Sequence, residues 1–151
     1  MRTHFTCLLM VFVACAFSCV QKPRDMSKQI ISTDKAPAAI GPYSQAVLAN
    51  GTLFCSGQIA INPATGQIDS SSIENETHQV MKNVGAVLEE AGMDYSNIVK
   101  ASIFMADMNQ YAAINEVYAE YFKNDPPARE AVEVARLPKD VNVEISVTAV
   151  K

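Results

Sequence analysis

The segment over residues 141–150 constrains the fold of this chain more than any other part of its sequence. Apolar and polar side chains alternate along it without interruption. The apolar positions are Val141, Val143, Ile145, Val147 and Ala149, and the polar positions between them are Asn142, Glu144, Ser146 and Thr148. This period of two predicts a β-strand with one side in a core. The other side then faces water or a partner subunit.

The order of the remaining elements predicts an α+β domain. In chain order we expect strands at 44–49 and 52–57, a helix at 73–91, a strand at 98–105, a helix at 111–122 and strands at 131–135 and 141–150. Asn50-Gly51 between the first two strands is a type I′ hairpin signal, and Gly92 is well placed to end the first helix. Two helices cover only one face of such a sheet. The sequence therefore predicts a two-layer domain that oligomerises through its open face.

The N-terminal residues predict a targeting segment. Arg2 precedes an apolar run over residues 5–17, which is short for a membrane span and typical of a signal peptide. The run ends in the sequence Ala16-Phe17-Ser18-Cys19, which resembles a bacterial lipobox. Cleavage there would leave an acylated Cys19 as a lipid anchor, and it would place the protein in the cell envelope or periplasm.

The predicted domain organisation follows from this segment. We expect a signal peptide of the lipoprotein type at 1–18, a polar tether at 19–29 and one folded domain at 30–151. Translation from Met26 would instead give a cytoplasmic chain with neither signal nor anchor. The sequence leaves both starts open.

Charge and histidine content exclude several classes of function. The formal net charge is −4, and an acidic chain is poorly suited to binding the phosphates of nucleic acids. Apart from His4 in the targeting segment, the only histidine is His78, which we expect to be a half-exposed helix residue. A Ser-His-Asp triad or a histidine metal site therefore has little support. Cys55 lies inside a predicted strand, where a lone cysteine is usually a small buried hydrophobe.

Arg129 and Glu144 are the strongest candidates for chemistry. Arg129 follows two prolines and opens an apolar strand, and its guanidinium fork suits a substrate carboxylate. Glu144 lies on the polar side of the last strand, where a carboxylate can move a proton or position a water. If the last two strands form a hairpin, Glu144 pairs with Glu133, and Arg129 lies roughly 13 Å further along. Either the pairing register differs, or another subunit completes the site.

Several motifs, in this order, resemble one known family. They are PAAIGPYSQ at 37–45, SGQI at 56–59, Asn62-Pro63, and the segment from Pro127-Ala128-Arg129 to Glu144-Ile145. Together they resemble the reactive-intermediate deaminase family, also called Rid or YjgF, over residues 30–151. The resemblance implies a chorismate-mutase-like two-layer α+β fold, with a mixed sheet and two helices on one face. It also implies a homotrimer with its sites between subunits.

The resemblance implies a reaction as well. It suggests hydrolysis of reactive 2-imino acids, 2-iminopropanoate and 2-iminobutanoate, to 2-keto acids and ammonia. No metal or organic cofactor is implied, and no nucleic acid is expected as a partner. A trimer that binds small carboxylates without turning them over is the alternative. RNA cleavage is a third reading, which the acidic charge and the lack of a catalytic histidine disfavour.

The resemblance further implies a role for each matching residue. Arg129 is expected to hold the substrate carboxylate with a bidentate pair, helped by the backbone N–H of Ala131. The carbonyl of Gly57 is expected to meet the imine nitrogen. Glu144 is expected to position the water that attacks C2, and positioning with charge pairing supplies most of the rate effect.

Three more positions match the family near the site, and two depart from it. Tyr43 is expected to close over the pocket, and Ser56 and Asn115 match positions close to the substrate. Glu130 stands where a small uncharged residue is usual, but on a strand its side chain should point away from that of Arg129. Pro126 stands where an aromatic residue is common, which reshapes one wall of the expected pocket.

Overall fold

The computed structural model describes residues 27–151. The predicted signal peptide at 1–18, the predicted lipid attachment at Cys19 and the alternative start at Met26 lie outside this range. Within it, no helix has the length and apolar character needed to cross a bilayer. The first strand begins at Lys28, so the last two residues of the predicted tether belong to the folded domain.

Six strands form one mixed sheet. They are β1 (Lys28–Ile31), β2 (Ala46–Ala49), β3 (Thr52–Gln58), β4 (Ile98–Met105), β5 (Ala128–Glu133) and β6 (Val143–Val150). Their spatial order is β1-β2-β3-β6-β4-β5, and only β4 and β5 pair in parallel. β1 is one strand more than the sequence predicted, because four residues at a sheet edge carry too short a pattern. β2 and β3 form the expected hairpin, with Asn50 and Gly51 both at positive φ, as a type I′ turn requires.

Two helices cover one face of this sheet, as predicted. α1 (Ile73–Glu90) packs against β3 and β6, and α2 (Tyr111–Ala119) packs against α1. The side chain of Ser72 accepts a backbone N–H bond at the start of α1, which satisfies a donor that the helix leaves unpaired. Gly92 follows its end at φ 67°, the left-handed conformation that commonly terminates helices.

The core lies between the helices and the inner face of the sheet. The alternating residues of β6 confirm the predicted pattern, since Val143, Ile145, Val147 and Ala149 are all at most 4% exposed. Glu144, Ser146 and Thr148 face the opposite side and are half-buried. α2 ends at Ala119, about one turn earlier than predicted, although Tyr121 and Phe122 still pack against the core.

β5 and β6 do not form the hairpin that the sequence suggested. β4 lies between them, antiparallel to β6 and parallel to β5. Glu144 is therefore opposite Phe104 and not Glu133, and Arg129 is opposite Ala101. β5 also begins before residue 131, so Arg129 lies inside the strand. The alternation along a strand specifies which of its sides is apolar but not which strand it pairs with. For this reason the predicted hairpin was wrong.

Candidate functional site

The guanidinium of Arg129 is held by residues of α2. Its NH1 group donates to Oδ1 of Asn115 at 2.7 Å, and its NH2 group donates to the hydroxyl of Tyr111 at 2.9 Å. Its Cζ lies 5.1 Å from the ring centroid of Tyr118 and 5.7 Å from that of Tyr111, within the range of cation–π attraction. These three partners share one face of the helix, because they are spaced four and three residues apart.

Arg129 lines a cavity of about 400 Å³, which we call the Arg129 cavity. Its lining is formed by Asn115, Tyr118, Ala119, Phe122, Pro126, Pro127 and Arg129. The guanidinium has more N–H donors than these two partners use, so it can still pair with an anion. Ala131 lies two residues along the same strand and is half-buried, so it shares the face of Arg129.

Glu144 faces a different cavity of about 330 Å³, called here the Glu144 cavity. It is lined by Ile40, Tyr43, Ser56, Gly57, Ile59, Pro138 and Glu144. No group among residues 27–151 hydrogen-bonds the Glu144 carboxylate, and burial raises its pKa above the ordinary value for glutamate. A carboxylate with a raised pKa and open coordination is suited to hold a water and take up a proton.

Gly57 leaves the space that this carboxylate occupies. A Cβ atom at residue 57 would overlap Oε1 of Glu144 and lie 2.6 Å from its Cδ. Any side chain there would therefore displace Glu144. The absence of a side chain also exposes the backbone of β3 to a molecule in the cavity.

Tyr43 and Ser56 shape the wall of the Glu144 cavity. Tyr43 is 48% exposed, and its hydroxyl accepts a bond from the backbone N–H of Ile40 at 3.3 Å. The Ser56 hydroxyl donates to the carbonyl of Ser44 at 2.7 Å, so it holds the loop that carries Tyr43. The buried side chain of Gln45 fastens the same loop through bonds to the backbone at residues 33, 36 and 37.

A third cavity, of about 880 Å³, is larger than these two. It adjoins the Glu144 cavity through Ile40 and Tyr43 and lies between residues 30–45 and 61–68. Neither Arg129 nor Glu144 lines it. Among residues 27–151, no group of three or more His, Cys, Asp or Glu side chains is placed to hold a metal ion.

The two candidate groups lie on opposite faces of the sheet. Their partners on β4 are Ala101 for Arg129 and Phe104 for Glu144. Positions three apart on a strand point to opposite sides, and Ala101 is fully buried under the helices. The structure thus groups Arg129 with Asn115 and Ala131, and it groups Glu144 with Tyr43, Ser56 and Gly57. One protomer cannot bring both groups to one small molecule.

Glu130 and Pro126, the two residues that depart from the family pattern, have different surroundings. Glu130 points to the open face, where it pairs with Lys100 and accepts a bond from Ser102, and these bonds lower its pKa. It therefore points away from Arg129, as predicted. Pro126 lines the Arg129 cavity, as its place beside Pro127 suggested.

The other titratable candidates serve the fold. Nδ1 of His78 lies 2.9 Å from the hydroxyl of Tyr121, and the residue is half-buried on α1 as expected. Cys55 is 7% exposed, and burial raises the pKa of its thiol to about 12. The sequence reading missed Tyr111 and Tyr118 as partners of Arg129, although their spacing from Asn115 on one helix face was a signal for them.

The chain is similar to known proteins over most of its length. A family model described as Endoribonuclease L-PSP matches residues 33–151. The 2-iminobutanoate/2-iminopropanoate deaminase of Homo sapiens is 47% identical over 124 residues, which cover 82% of this chain and 90% of that protein. The matched region contains both cavities.

Two solved structures confirm the predicted fold. YyfA from Yersinia pestis, described as a protein of unknown function of the conserved Rid protein family, has 50% identity and a TM-score of 0.81, covering 83% of this chain and 100% of that chain. TdcF from E. coli, solved with bound serine, has 42% identity and a TM-score of 0.79, covering 82% of this chain and 98% of that chain.

Proposed function

The chain belongs to the Rid/YjgF family, and on that premise we propose that it hydrolyses small 2-imino acids to 2-keto acids and ammonia. Relatives named as deaminases of 2-iminobutanoate and 2-iminopropanoate, 47% identical in the human case, support this choice of substrate. TdcF, which has been solved with bound serine, supports a site for small amino-acid-like molecules. No step requires a cofactor, because a protonated imine is already electrophilic.

The proposed site is formed where two copies of the chain meet. The observation that carries this proposal is that Arg129 and Glu144 each line a cavity on opposite faces of one sheet. Each cavity holds half of the required groups. A neighbouring subunit that brings its Arg129 cavity against the Glu144 cavity completes both the anion site and the water site. A closed ring of three subunits would build such a contact three times.

The open face of the sheet provides surface for this assembly. Ile30, Phe54 and Val132 lie on it with 51%, 54% and 41% of their surface exposed. Exposed apolar side chains on a sheet face gain stability when another protein surface covers them and removes them from water. A partner copy would bury them.

In the assembled site, each residue performs one task. Arg129 binds the substrate carboxylate through a bidentate, charge-assisted pair, and the backbone N–H of Ala131 assists. The Gly57 carbonyl accepts a bond from the protonated imine nitrogen. Glu144 orients a water toward C2 and accepts its proton as the C–O bond forms. Glu144 returns that proton to the nitrogen and then takes the remaining proton of the new hydroxyl as the C–N bond breaks, which releases ammonia and the 2-keto acid.

Ammonia release tests the proposal directly. A chain starting at Met26 is incubated with 2-iminobutanoate generated in situ, and the rate is compared with that in buffer alone. We expect acceleration by the wild-type chain and loss of it in Arg129→Ala. Binding of 2-oxobutanoate without any acceleration would instead favour a carboxylate-binding trimer.

We also propose that the protein acts in the cell envelope, held by a lipid on Cys19. This proposal depends on the sequence of residues 1–19, because those residues lie outside the described structure. Cell fractionation with a radiolabelled fatty acid tests it. A soluble, unlabelled product whose first residue is Met26 would contradict it.

A further inference from the structure

The lining of the Glu144 cavity has a polar part and an apolar part. The polar part consists of Ser56, Gly57 and Glu144, and the apolar part consists of Ile40, Ile59 and Pro138. In the proposed reaction, the imine carbon and nitrogen lie beside Glu144 and the Gly57 carbonyl. The side chain of the substrate is bonded to that same carbon. It therefore occupies the Glu144 cavity as well, and the apolar part of the lining is the surface that suits it.

Ile40 lies where the Glu144 cavity meets the cavity of about 880 Å³ between residues 30–45 and 61–68, called here the outer cavity. Among residues 27–151, Ile40 and Tyr43 line both cavities. Ile59 and Pro138 line the Glu144 cavity and do not reach the outer one. Ile40 is thus the apolar residue at the boundary between a small space beside the reacting groups and a larger space behind it.

The loop, and not packing of its own side chain, holds Ile40 in this place. Ile40 is 58% exposed, and most of the surface of an isoleucine belongs to its side chain. Its backbone N–H donates to the hydroxyl of Tyr43, and the backbone N–H of Tyr43 donates to the carbonyl of Gly41 at 2.8 Å. A change of the side chain at residue 40 leaves these bonds in place, so it should alter the boundary without moving the loop.

We propose that Ile40 limits the length of the substrate side chain that the site accepts. This inference rests on the proposed function, since it requires the imine carbon to lie beside Glu144. The methyl or ethyl group of 2-iminopropanoate or 2-iminobutanoate fits on the near side of Ile40. The longer, branched side chain of the imine derived from leucine extends toward the outer cavity and meets Ile40. The preferred class is therefore 2-imino acids with short apolar side chains.

Three variants separate the size of this boundary from other effects. Ile40→Ala removes the side chain beyond Cβ and joins the two cavities, whereas Ile40→Phe places a larger group at the same boundary. Gln67→Ala is the control, because Gln67 is exposed and lines the outer cavity without lining the Glu144 cavity. Both replaced residues are exposed, so the melting temperatures should stay close to that of the wild type.

The experiment compares two imines on the full-length assembled protein. The kcat/KM is measured for 2-iminobutanoate and for 2-imino-4-methylpentanoate, each generated in situ, and the quantity of interest is the ratio of the longer to the shorter substrate. We expect the wild type to prefer the shorter one. The ratio should rise about tenfold in Ile40→Ala, fall in Ile40→Phe and stay unchanged in Gln67→Ala.

Three results would overturn the inference. One is a wild type that does not prefer the shorter imine, and another is an unchanged ratio in Ile40→Ala. The third is an equal rise of the ratio in Ile40→Ala and Ile40→Phe, because the loop would then have loosened and the size of residue 40 would not matter.

Calorimetry with 2-oxobutanoate and 4-methyl-2-oxopentanoate separates this inference from the proposed function. If the wild type accelerates deamination and the ratio does not respond to residue 40, only the role of Ile40 is wrong. If the wild type binds 2-oxobutanoate without turnover, the proposed reaction falls. The inference then stands if the ratio of the two Kd values shifts about tenfold in Ile40→Ala, and it falls if that ratio is unchanged. Failure of the wild type to bind either keto acid would overturn both.

Discussion

Two inactive variants of this chain should restore each other's activity when they assemble together. Arg129→Ala removes the guanidinium and leaves the Glu144 cavity intact. Glu144→Gln removes the carboxylate and leaves the Arg129 cavity intact. Because these groups lie on opposite faces of one sheet, a site between two copies takes one group from each. A mixed assembly therefore contains some sites with neither substitution.

The expected recovery follows from counting. In a random one-to-one mixture, the chain that supplies the guanidinium is the Glu144→Gln chain half of the time, and the chain that supplies the carboxylate is the Arg129→Ala chain half of the time. About one quarter of the sites are then intact, whatever the number of subunits in a closed ring. Each variant alone should be slowed by roughly 100-fold or more. Mixing should thus raise the rate by about 25-fold over either parent.

The assay compares co-refolded variants with each variant refolded alone. Ammonia release from 2-iminobutanoate is followed at a fixed total chain concentration, and wild-type protein taken through the same procedure defines full activity. A mixture of Arg129→Ala with Asn115→Ala is the matched control, because both defects lie in the Arg129 cavity and no site escapes them. If mass spectrometry shows mixed assemblies and activity stays at the level of the parents, the site does not lie between subunits.

Three further predictions concern single residues. Gly57→Ala should lower kcat/KM by about 100-fold with little change in melting temperature. The new Cβ would overlap the Glu144 carboxylate, and a misplaced catalytic group costs a factor of this size. Unchanged kinetics would mean that catalysis does not depend on the observed position of Glu144. Because the pKa of Glu144 is raised, its carboxylate becomes protonated at a higher pH than an ordinary glutamate. As the pH falls through that pKa, kcat/KM should fall with it. The residual rate of Glu144→Gln should not show this fall. Glu76→Ala should reduce the free energy of unfolding, measured in urea at fixed protein concentration, by about 3 kcal/mol, since the buried carboxylate accepts bonds from Asn142 and Val143. Glu74→Ala, at an exposed residue, is its control. An equal loss of stability in both variants would contradict the reasoning.

Local sequence patterns predicted the helices and strands of this fold better than they predicted which strands pair. The alternation along β6 and the Asn50-Gly51 turn each depend on a few adjacent residues, and both appear in the structure as predicted. The pairing of β5 with β4 depends on residues about 30 positions apart. No local rule encodes it, so the assumed hairpin placed Glu144 opposite the wrong residue.

In the candidate site, too, the residues could be predicted from the sequence but their spatial arrangement could not. Arg129 and Glu144 could be singled out from residue type and position alone, since a guanidinium and a carboxylate on apolar strands are uncommon. Their placement on opposite faces required the strand order. Tyr118 illustrates a third case, because an aromatic residue in a helical apolar stripe predicts burial, whereas an unpaired hydroxyl is visible only when every neighbouring atom is placed.

The enclosed thiol of Cys55 has a consequence for where this domain can work. It is the free cysteine of residues 27–151, and its high pKa keeps it in the unreactive protonated form. Exposed thiolates are the nucleophiles that attack peroxides and glutathione disulfide, so neither reagent should modify Cys55 in the folded domain. The folded domain over residues 27–151 can then serve in a reducing cytosol or an oxidising extracytoplasmic space without oxidation of Cys55.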